Sequence, residues 1–99
     1  MIYHITTARS WHAQAEALVY VAESLATEGF IHCSTQAQIS GVLLRYYSGV
    51  SDLMVLHIDE TRLTSPCKFE AATAGELFPH VYGTINKEAI TLVQPLESR

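Results

Sequence analysis

The first residues of the chain combine apolar and polar positions in a way that is typical of a strand followed by a helix. Residues 2–5 are β-branched or aromatic, apart from one histidine, as in a strand. Thr6 and Thr7 come next, and either hydroxyl is suited to cap a short helix that contains Trp11. The pattern therefore predicts a strand that leads directly into a short helix.

The next region has a mixed pattern. Residues 13–26 combine Ala and Glu, which favour helix, with a β-branched run, and they predict a helix, a short strand and then a loop. Gly29 interrupts this pattern. Beyond it, alternation along a short predicted strand that ends at Cys33 places Phe30 and His32 on one face.

A longer amphipathic stretch predicts a helix over residues 36–48. Thr35 and Gln38 have the spacing of a capping box at its start, and Gly49 lies where a left-handed terminating residue is favoured. Apolar side chains recur in this stretch at the helical period, and we interpret them as part of the core. They are Ile39, Val42, Leu43, Tyr46 and Tyr47.

The second half of the chain predicts further strands. The continuous apolar run of residues 53–58 is typical of a central strand that is covered on both faces. Residues 66–71 predict a weaker strand, residues 73–75 a turn, and residues 90–93 a last strand that Pro95 ends. Helices do not alternate regularly with strands, so we expect an α+β fold with small mixed or antiparallel sheets and two or three helices.

Composition limits the class of protein. With 99 residues, 48% of them hydrophobic, the chain predicts a single domain over residues 1–99. The net charge is -4 and the basic residues are scattered, which argues against broad nucleic-acid binding. No apolar run approaches the roughly 20 residues that cross a bilayer, so no membrane association is expected.

The two cysteines, Cys33 and Cys67, lack the close spacing of a metal motif or a redox pair. We interpret both as free thiols in a reducing compartment, which predicts a cytoplasmic protein. The sequence does not indicate the oligomeric state.

Candidate chemistry is concentrated in three segments that place a histidine among small, hydroxylated or aromatic residues. These are residues 3–6, 29–34 and 78–83. Histidine exchanges a proton near neutral pH and is a common metal ligand, so we expect the three segments to converge on one polar pocket for a small-molecule ligand. His80 is favoured as a positioned side chain because Pro79 and Gly83 restrict or shape the backbone beside it.

Each candidate residue has an expected role in that pocket. His32 and His80 are candidate catalytic groups, and Glu70 and Glu76 are the carboxylates that could join them. Candidate ligand-binding groups are His4, Thr6, Ser34 and Tyr82. The alternative interpretation is structural: His4 and His32 would tie a strand to a neighbouring carbonyl, and Phe78 and Tyr82 would fill the core.

Two further alternatives are open from the residues alone. His4, His32 and His80 could form a three-histidine metal site with a free fourth position for water or substrate, although their spacing contains no short-range metal motif. The pocket could also bind a small molecule without turnover.

The chain resembles a family of small bacterial proteins, domain-of-unknown-function family 952. The resemblance rests on Tyr-His-Ile-Thr at residues 3–6, Ser-Leu-x-x-Glu-Gly-Phe-Ile-His-Cys-Ser at residues 24–34, and Phe-Pro-His-x-Tyr-Gly at residues 78–83. That family is grouped by fold with ADP-ribosyltransferase-like proteins, which bind NAD in a cleft between small sheets. The resemblance thus implies an ADP-ribosyltransferase-like fold more firmly than a reaction.

The resemblance also implies roles for individual residues. His4 is similar in position to the first-strand residue that holds a ribose, His32 and Ser34 to the middle element, and Glu70 or Glu76 to the glutamate that orients transfer. It implies an NAD or ADP-ribose-like ligand, with ADP-ribosyl transfer or glycosidic cleavage as the reaction. The arginine pair of the related RNA 2'-phosphotransferases has no counterpart here, so that activity is not expected.

Overall fold

The computed structural model describes residues 1–96, so the last three positions of the expected domain lie outside the described part. The helices are α1 (Ala8–Ala13), α2 (Glu23–Glu28) and α3 (Ile39–Tyr46). The strands are β1 (Ile2–Thr7), β2 (Val19–Tyr20), β3 (Ile31–His32), β4 (Leu53–Ile58), β5 (Cys67–Ala71), β6 (Leu77–Val81), β7 (Ile85–Asn86) and β8 (Ile90–Pro95). Short 3-10 turns cover Gln36–Gln38, Glu60–Arg62, Thr73–Gly75 and Lys87–Ala89.

Within residues 1–96 the strands form three small sheets, with orders β1-β4-β8, β2-β7 and β3-β6-β5. The strand pairs are antiparallel. This confirms the α+β prediction with small antiparallel sheets. The predicted central strand is confirmed as well, because β4 lies between β1 and β8 and most of its side chains are buried.

A backbone bridge between Tyr3 and Ser34 connects two of these sheets. The Tyr3 amide donates to the Ser34 carbonyl at 2.8 Å, and the Ser34 amide donates to the Tyr3 carbonyl at 2.7 Å. The bridge holds the start of β1 beside the end of β3. As a result, the first two histidine segments of the sequence meet in the fold.

Within residues 1–96, two groups of buried side chains form most of the core. The larger group lies between the sheets and consists of Ile2, Tyr20, Ile31, Cys33, Leu56, Ile58, Val81, Ile85 and Ala89. The smaller group joins β1 and β4 to α3 and contains Ile5, Leu53 and Val55. Fully burying one large aliphatic side chain contributes about 1.5–3 kcal/mol, so these groups supply most of the drive to fold.

The α3 prediction is confirmed in its main features. The capping box is present, and the Thr35 amide donates to Gln38 Oε1 at 2.9 Å. Four of the five predicted stripe residues pack on the smaller core group, but Tyr46 is 59% exposed. The helix is also shorter than expected, since a 3-10 turn precedes it and it ends at Tyr46. No helix in residues 1–96 is long and apolar enough to span a membrane.

Several elements differ from the sequence prediction. The helix expected before the short strand of residues 13–26 is absent, because residues 14–18 form turns and bends after α1, and β7 was not predicted. The end of the predicted loop and the residues after it form α2, and Gly29 terminates this helix at φ 90°, where a residue without Cβ is favoured. Strand β6 was not predicted because Pro79, which has no N–H, argues against a central strand. The Pro79 carbonyl nevertheless accepts a hydrogen bond from the Cys33 amide at 3.0 Å, so β6 pairs on both sides.

Candidate functional site

A cleft of about 670 Å³ lies between β1, α2, the β3 segment and α3. Four of the sequence-predicted site residues line it, namely His4, Thr6, His32 and Ser34. Its volume is in the range of small-molecule binding sites, about 300–1,000 Å³. The antiparallel packing of these short elements therefore brings the histidines of two of the three segments into one cleft, and Phe78 of the third segment also lines it.

His4 is held from both sides of its ring. Its Nδ1 lies 2.6 Å from the His32 carbonyl oxygen, and its Nε2 lies 3.0 Å from the Tyr20 hydroxyl. Because a carbonyl only accepts, Nδ1 carries the proton and the neutral ring accepts at Nε2. Burial lowers the pKa of His4 from 6.5 to about 4, so the ring is neutral at pH 7.

Tyr20 continues this network. Its hydroxyl lies 2.8 Å from Thr6 Oγ1, and burial raises its pKa above the ordinary value for tyrosine. The Trp11 ring packs against it, with centroids 5.9 Å apart. His4, Tyr20 and Thr6 thus form an uncharged hydrogen-bonded line beside the cleft. Tyr20 was not among the predicted site residues, because nothing in its strand-forming neighbourhood distinguishes it from a core tyrosine.

His32 lies at the exposed edge of the same cleft, where it is paired with a carboxylate. Its Nε2 is 3.0 Å from Glu28 Oε2, and both side chains are about half exposed. Glu28 and Glu23 of α2 both line the cleft. Glu28 was not among the predicted site residues, although it lies four positions before His32 in the same sequence segment.

Three of the other predicted residues form a separate cluster, with Glu70 on β5, His80 on β6 and Tyr82 directly after β6. His80 Nδ1 is 2.9 Å from Glu70 Oε1, and the Tyr82 hydroxyl donates to the same oxygen at 2.6 Å. The hydrogen bond from Tyr82, followed by that of His80, holds the pKa of Glu70 below its ordinary value. The hydrogen bond from Tyr82 to Glu70 also raises the pKa of Tyr82. None of the three lines the cleft.

Phe30 lies between the cleft residue His32 and the cluster of Glu70, His80 and Tyr82. Its ring is stacked on His80 with centroids 4.1 Å apart, and it contacts His32 at 4.8 Å and Tyr82 at 5.4 Å. The prediction that Phe30 and His32 share one face is therefore confirmed. The pocket expected from three histidine segments is divided at this phenylalanine into an open cleft and a Glu70–His80 dyad whose imidazole is buried.

Glu76 is exposed and lies outside both the cleft and the Glu70–His80 dyad. Its described contact is through the backbone, since its carbonyl accepts from the Ala72 amide at 3.0 Å. Of the two glutamates named from the sequence, Glu70 is the one that contacts a histidine.

The geometry does not support a three-histidine metal site. Within residues 1–96, no three His, Cys, Asp or Glu side chains are grouped so that they could hold a metal ion. Both ring nitrogens of His4 already take part in hydrogen bonds, and Phe30 stacks on the His80 ring between the dyad and the cleft. The hypothesis fails because the histidine segments converge without directing free nitrogens at a common point.

The geometry offers hydrogen bonding rather than charge neutralisation in the cleft. Hydroxyls of Thr6, Ser10 and Ser34 line it together with the two α2 carboxylates, and no lysine or arginine does so in the described part of the chain. Such a lining suits a neutral or cationic ligand that carries hydroxyl groups.

Comparisons with known proteins identify related structures and a family. A search of curated proteins found no match. The crystal structure of protein CC0527 from Caulobacter crescentus has a TM-score of 0.90 at 25% identity, covering 99% of this chain and 87% of that one. The solution NMR structure of CC0527 has a TM-score of 0.84 at 25% identity, with 99% and 85% covered. The family model for DUF952, described as a protein of unknown function, matches residues 5–93, and the chain therefore belongs to the DUF952 family.

Proposed function

We propose that the cleft binds an NAD-type ligand through its nicotinamide riboside end. The observation that carries this proposal is the uncharged line His4–Tyr20–Thr6, which lies beside a cleft whose other walls offer the Ser34 hydroxyl and two carboxylates. Hydroxyl groups fixed in this way can bind the vicinal hydroxyls of a ribose without a charged partner. This agrees with the ADP-ribosyltransferase-like fold that the sequence motifs imply.

The charge distribution of the cleft determines which end of the ligand it takes. The nicotinamide ring of NAD carries a positive charge, which Glu23 and Glu28 complement. A diphosphate has no cationic partner among the lining residues of the described chain. The proposal therefore places the diphosphate toward solvent, with the riboside in the cleft.

Titration calorimetry with NAD, nicotinamide riboside and ADP-ribose tests this proposal. NAD and nicotinamide riboside are expected to bind with similar affinity, and ADP-ribose more weakly because it lacks the cationic ring. Replacing Ser34→Ala removes one hydrogen bond and should weaken binding by roughly three- to tenfold. Ser51→Ala, at an exposed position outside the cleft, is the matched control. No heat from any of the three compounds at millimolar concentration would reject the proposal.

Cleavage of the same ligand is a second candidate, favoured by the position of Glu28 at the cleft edge beside His32. As the bond between nicotinamide and ribose breaks, its electron pair leaves with nicotinamide and positive charge develops on the ribose. A carboxylate beside that carbon stabilises the transition state electrostatically. Water then adds to the ribose carbon and releases a proton, which gives nicotinamide and ADP-ribose. ADP-ribosyl transfer shares the first of these steps.

Chromatographic detection of nicotinamide released from NAD tests cleavage separately from binding. Glu28→Gln keeps the size of the side chain and removes its charge, so the rate should fall by about tenfold or more. Glu16→Gln, on an exposed turn away from the cleft, should leave the rate unchanged. If native protein releases nicotinamide no faster than buffer while calorimetry shows saturable binding, the cleft binds without turnover.

A further inference from the structure

The buried ring of His80 has one nitrogen without a partner. The side chain is 5% exposed, and within residues 1–96 its Nε2 is the buried side-chain atom that lacks a hydrogen bond. Buried polar atoms are nearly always hydrogen-bonded, because an unpaired one costs roughly 1–3 kcal/mol. This atom is therefore available to a hydrogen-bond partner from outside the described part of the chain.

The contact with Glu70 determines the chemical character of this nitrogen. Nδ1 faces a carboxylate oxygen at 2.9 Å, and a carboxylate accepts, so Nδ1 carries the ring proton. In the neutral ring, Nε2 then holds a lone pair and can only accept. Glu70 is itself fixed by the Tyr82 hydroxyl, which keeps the imidazole oriented and makes Nε2 a stronger acceptor.

The dyad is next to the cleft but is separated from it. His80 is paired with His32 across β3 and β6, and Phe78 lies two positions earlier on the same strand. His32 and Phe78 both line the cleft, whereas Phe30 stacks on the His80 ring. Phe30 is partly exposed and directly follows Gly29, whose left-handed conformation ends α2. Rotation of this one side chain uncovers the ring face on which it stacks.

We propose that His80 Nε2 is a concealed binding subsite beside the cleft, in a ring that Phe30 covers on one face. The nitrogen accepts a hydrogen bond from a neutral hydroxyl or amide group of a small molecule. An anionic group is disfavoured because Glu70 is within hydrogen-bond distance of the same ring. A hydroxyl or amide group supplies the donor that the free fold lacks. The subsite itself does not depend on the proposed function, which supplies only the identity of the larger ligand.

Chemical modification by diethyl pyrocarbonate tests whether this nitrogen is available. The unprotonated imidazole nitrogen attacks a carbonyl carbon of the reagent, a C–N bond forms, and ethyl carbonate leaves as the ring loses its Nδ1 proton. His4 is an internal control, since it is similarly buried but both of its nitrogens are hydrogen-bonded. Mass spectrometry of peptides should show His80 modified about tenfold faster than His4, because local opening exposes it.

Two variants test the parts assigned to Phe30 and Glu70. Phe30→Ala should speed modification of His80 several-fold and leave His4 unchanged. Glu70→Gln should slow it, because the amide accepts the same hydrogen bond without the negative charge that strengthens Nε2. Glu16→Gln is the charge-matched control and should have no effect.

Nitrogen-15 NMR of the imidazole rings, with nicotinamide as a small amide probe, completes the test. The Nε2 resonance of His80 should be that of an unprotonated nitrogen and should shift when nicotinamide is added. A proton on Nε2 in the free protein would overturn the proposal, as would modification of His80 as slow as that of His4 in both native protein and Phe30→Ala. If NAD, nicotinamide riboside and ADP-ribose all give no heat but His80 behaves as stated, the proposed function fails and the subsite stands.

Discussion

His32 and His80 lie directly opposite each other in the antiparallel pair β3–β6, yet one side chain is exposed and the other is buried. Their ring centroids are 5.4 Å apart with an interplanar angle of 82°. The His32 side chain is 51% exposed and that of His80 is 5% exposed, and each contacts its own glutamate. One register position of the sheet thus presents one imidazole to solvent and buries the other, and each imidazole is paired with a partly exposed carboxylate.

The Tyr82 hydroxyl should set the acidity of Glu70. In Tyr82→Phe, Glu70 loses the hydrogen bond that contributes most to its lowered pKa, so carbon-13 NMR of its carboxylate should show a higher pKa. Because a lowered pKa stabilises the fold above the ordinary value of the carboxyl group and this contribution disappears as pH falls, the variant should lose less stability on acidification than native protein. Tyr3→Phe, a tyrosine of β1, is the control. An unchanged Glu70 titration would show that Tyr82 does not determine its acidity.

His4 should make the fold less stable in mild acid. Its pKa is about 4 in the folded state against 6.5 ordinarily, so between these values the unfolded chain binds the extra proton. Stability should therefore fall as pH drops from 6.5 to 4, by about 3 kcal/mol in total. Urea unfolding at several pH values measures this slope. His4→Gln should flatten it, whereas His12→Gln, on the exposed side of α1, should not. Equal slopes in native protein and His4→Gln would contradict the assignment.

Local signals in the sequence predicted much of the fold. Thr7 accepts a hydrogen bond from the Ser10 amide at 3.1 Å and begins α1 as expected, and the run at Leu53–Ile58 is the central strand. These features depend on neighbours in the chain. Strand β6 was not predicted, because a proline argues against a central strand. Its pairing with β3 and β5 joins residues that are far apart in the sequence, and such pairing has no local signature.

The sequence predicted part of the lining of the cleft but not its arrangement. Four of the predicted residues line it together, because they lie on or beside strands whose faces alternate regularly. The separation of His80, Glu70 and Tyr82 from that cleft depends on the position of the Phe30 ring, which no spacing rule gives. Tyr20 meets His4 across 16 positions, through packing of a two-residue strand, and a contact of that kind is not encoded in periodicity.

Gly83 should be intolerant of a side chain. Its φ is 154°, and a Cβ there would overlap the Ser65 side chain, whose hydroxyl donates to the Thr84 carbonyl at 2.7 Å. Gly83→Ala should therefore cost about 2 kcal/mol or more in unfolding free energy. Gly75→Ala is the control, since Gly75 has φ 76° but open space around it, and its cost should be about 1 kcal/mol. Thermal or urea unfolding distinguishes these cases, and equal costs would show that the overlap is relieved elsewhere.

Leu56 links the core to the environment of His4. It is fully buried, lies directly opposite His4 in the β1–β4 pair, and belongs to the same core group as Tyr20. Leu56→Ala should lower the unfolding free energy by about 2–5 kcal/mol. The control Leu92→Ala, at a half-exposed position of β8, should lower it by less than about 1 kcal/mol. The cavity left by Leu56 also weakens the desolvation of His4, so NMR titration of the folded variant should show the His4 pKa moving up toward 6.5. A destabilised variant with an unchanged His4 titration would mean that the surroundings of this ring are set by β1, Tyr20 and the His32 carbonyl alone.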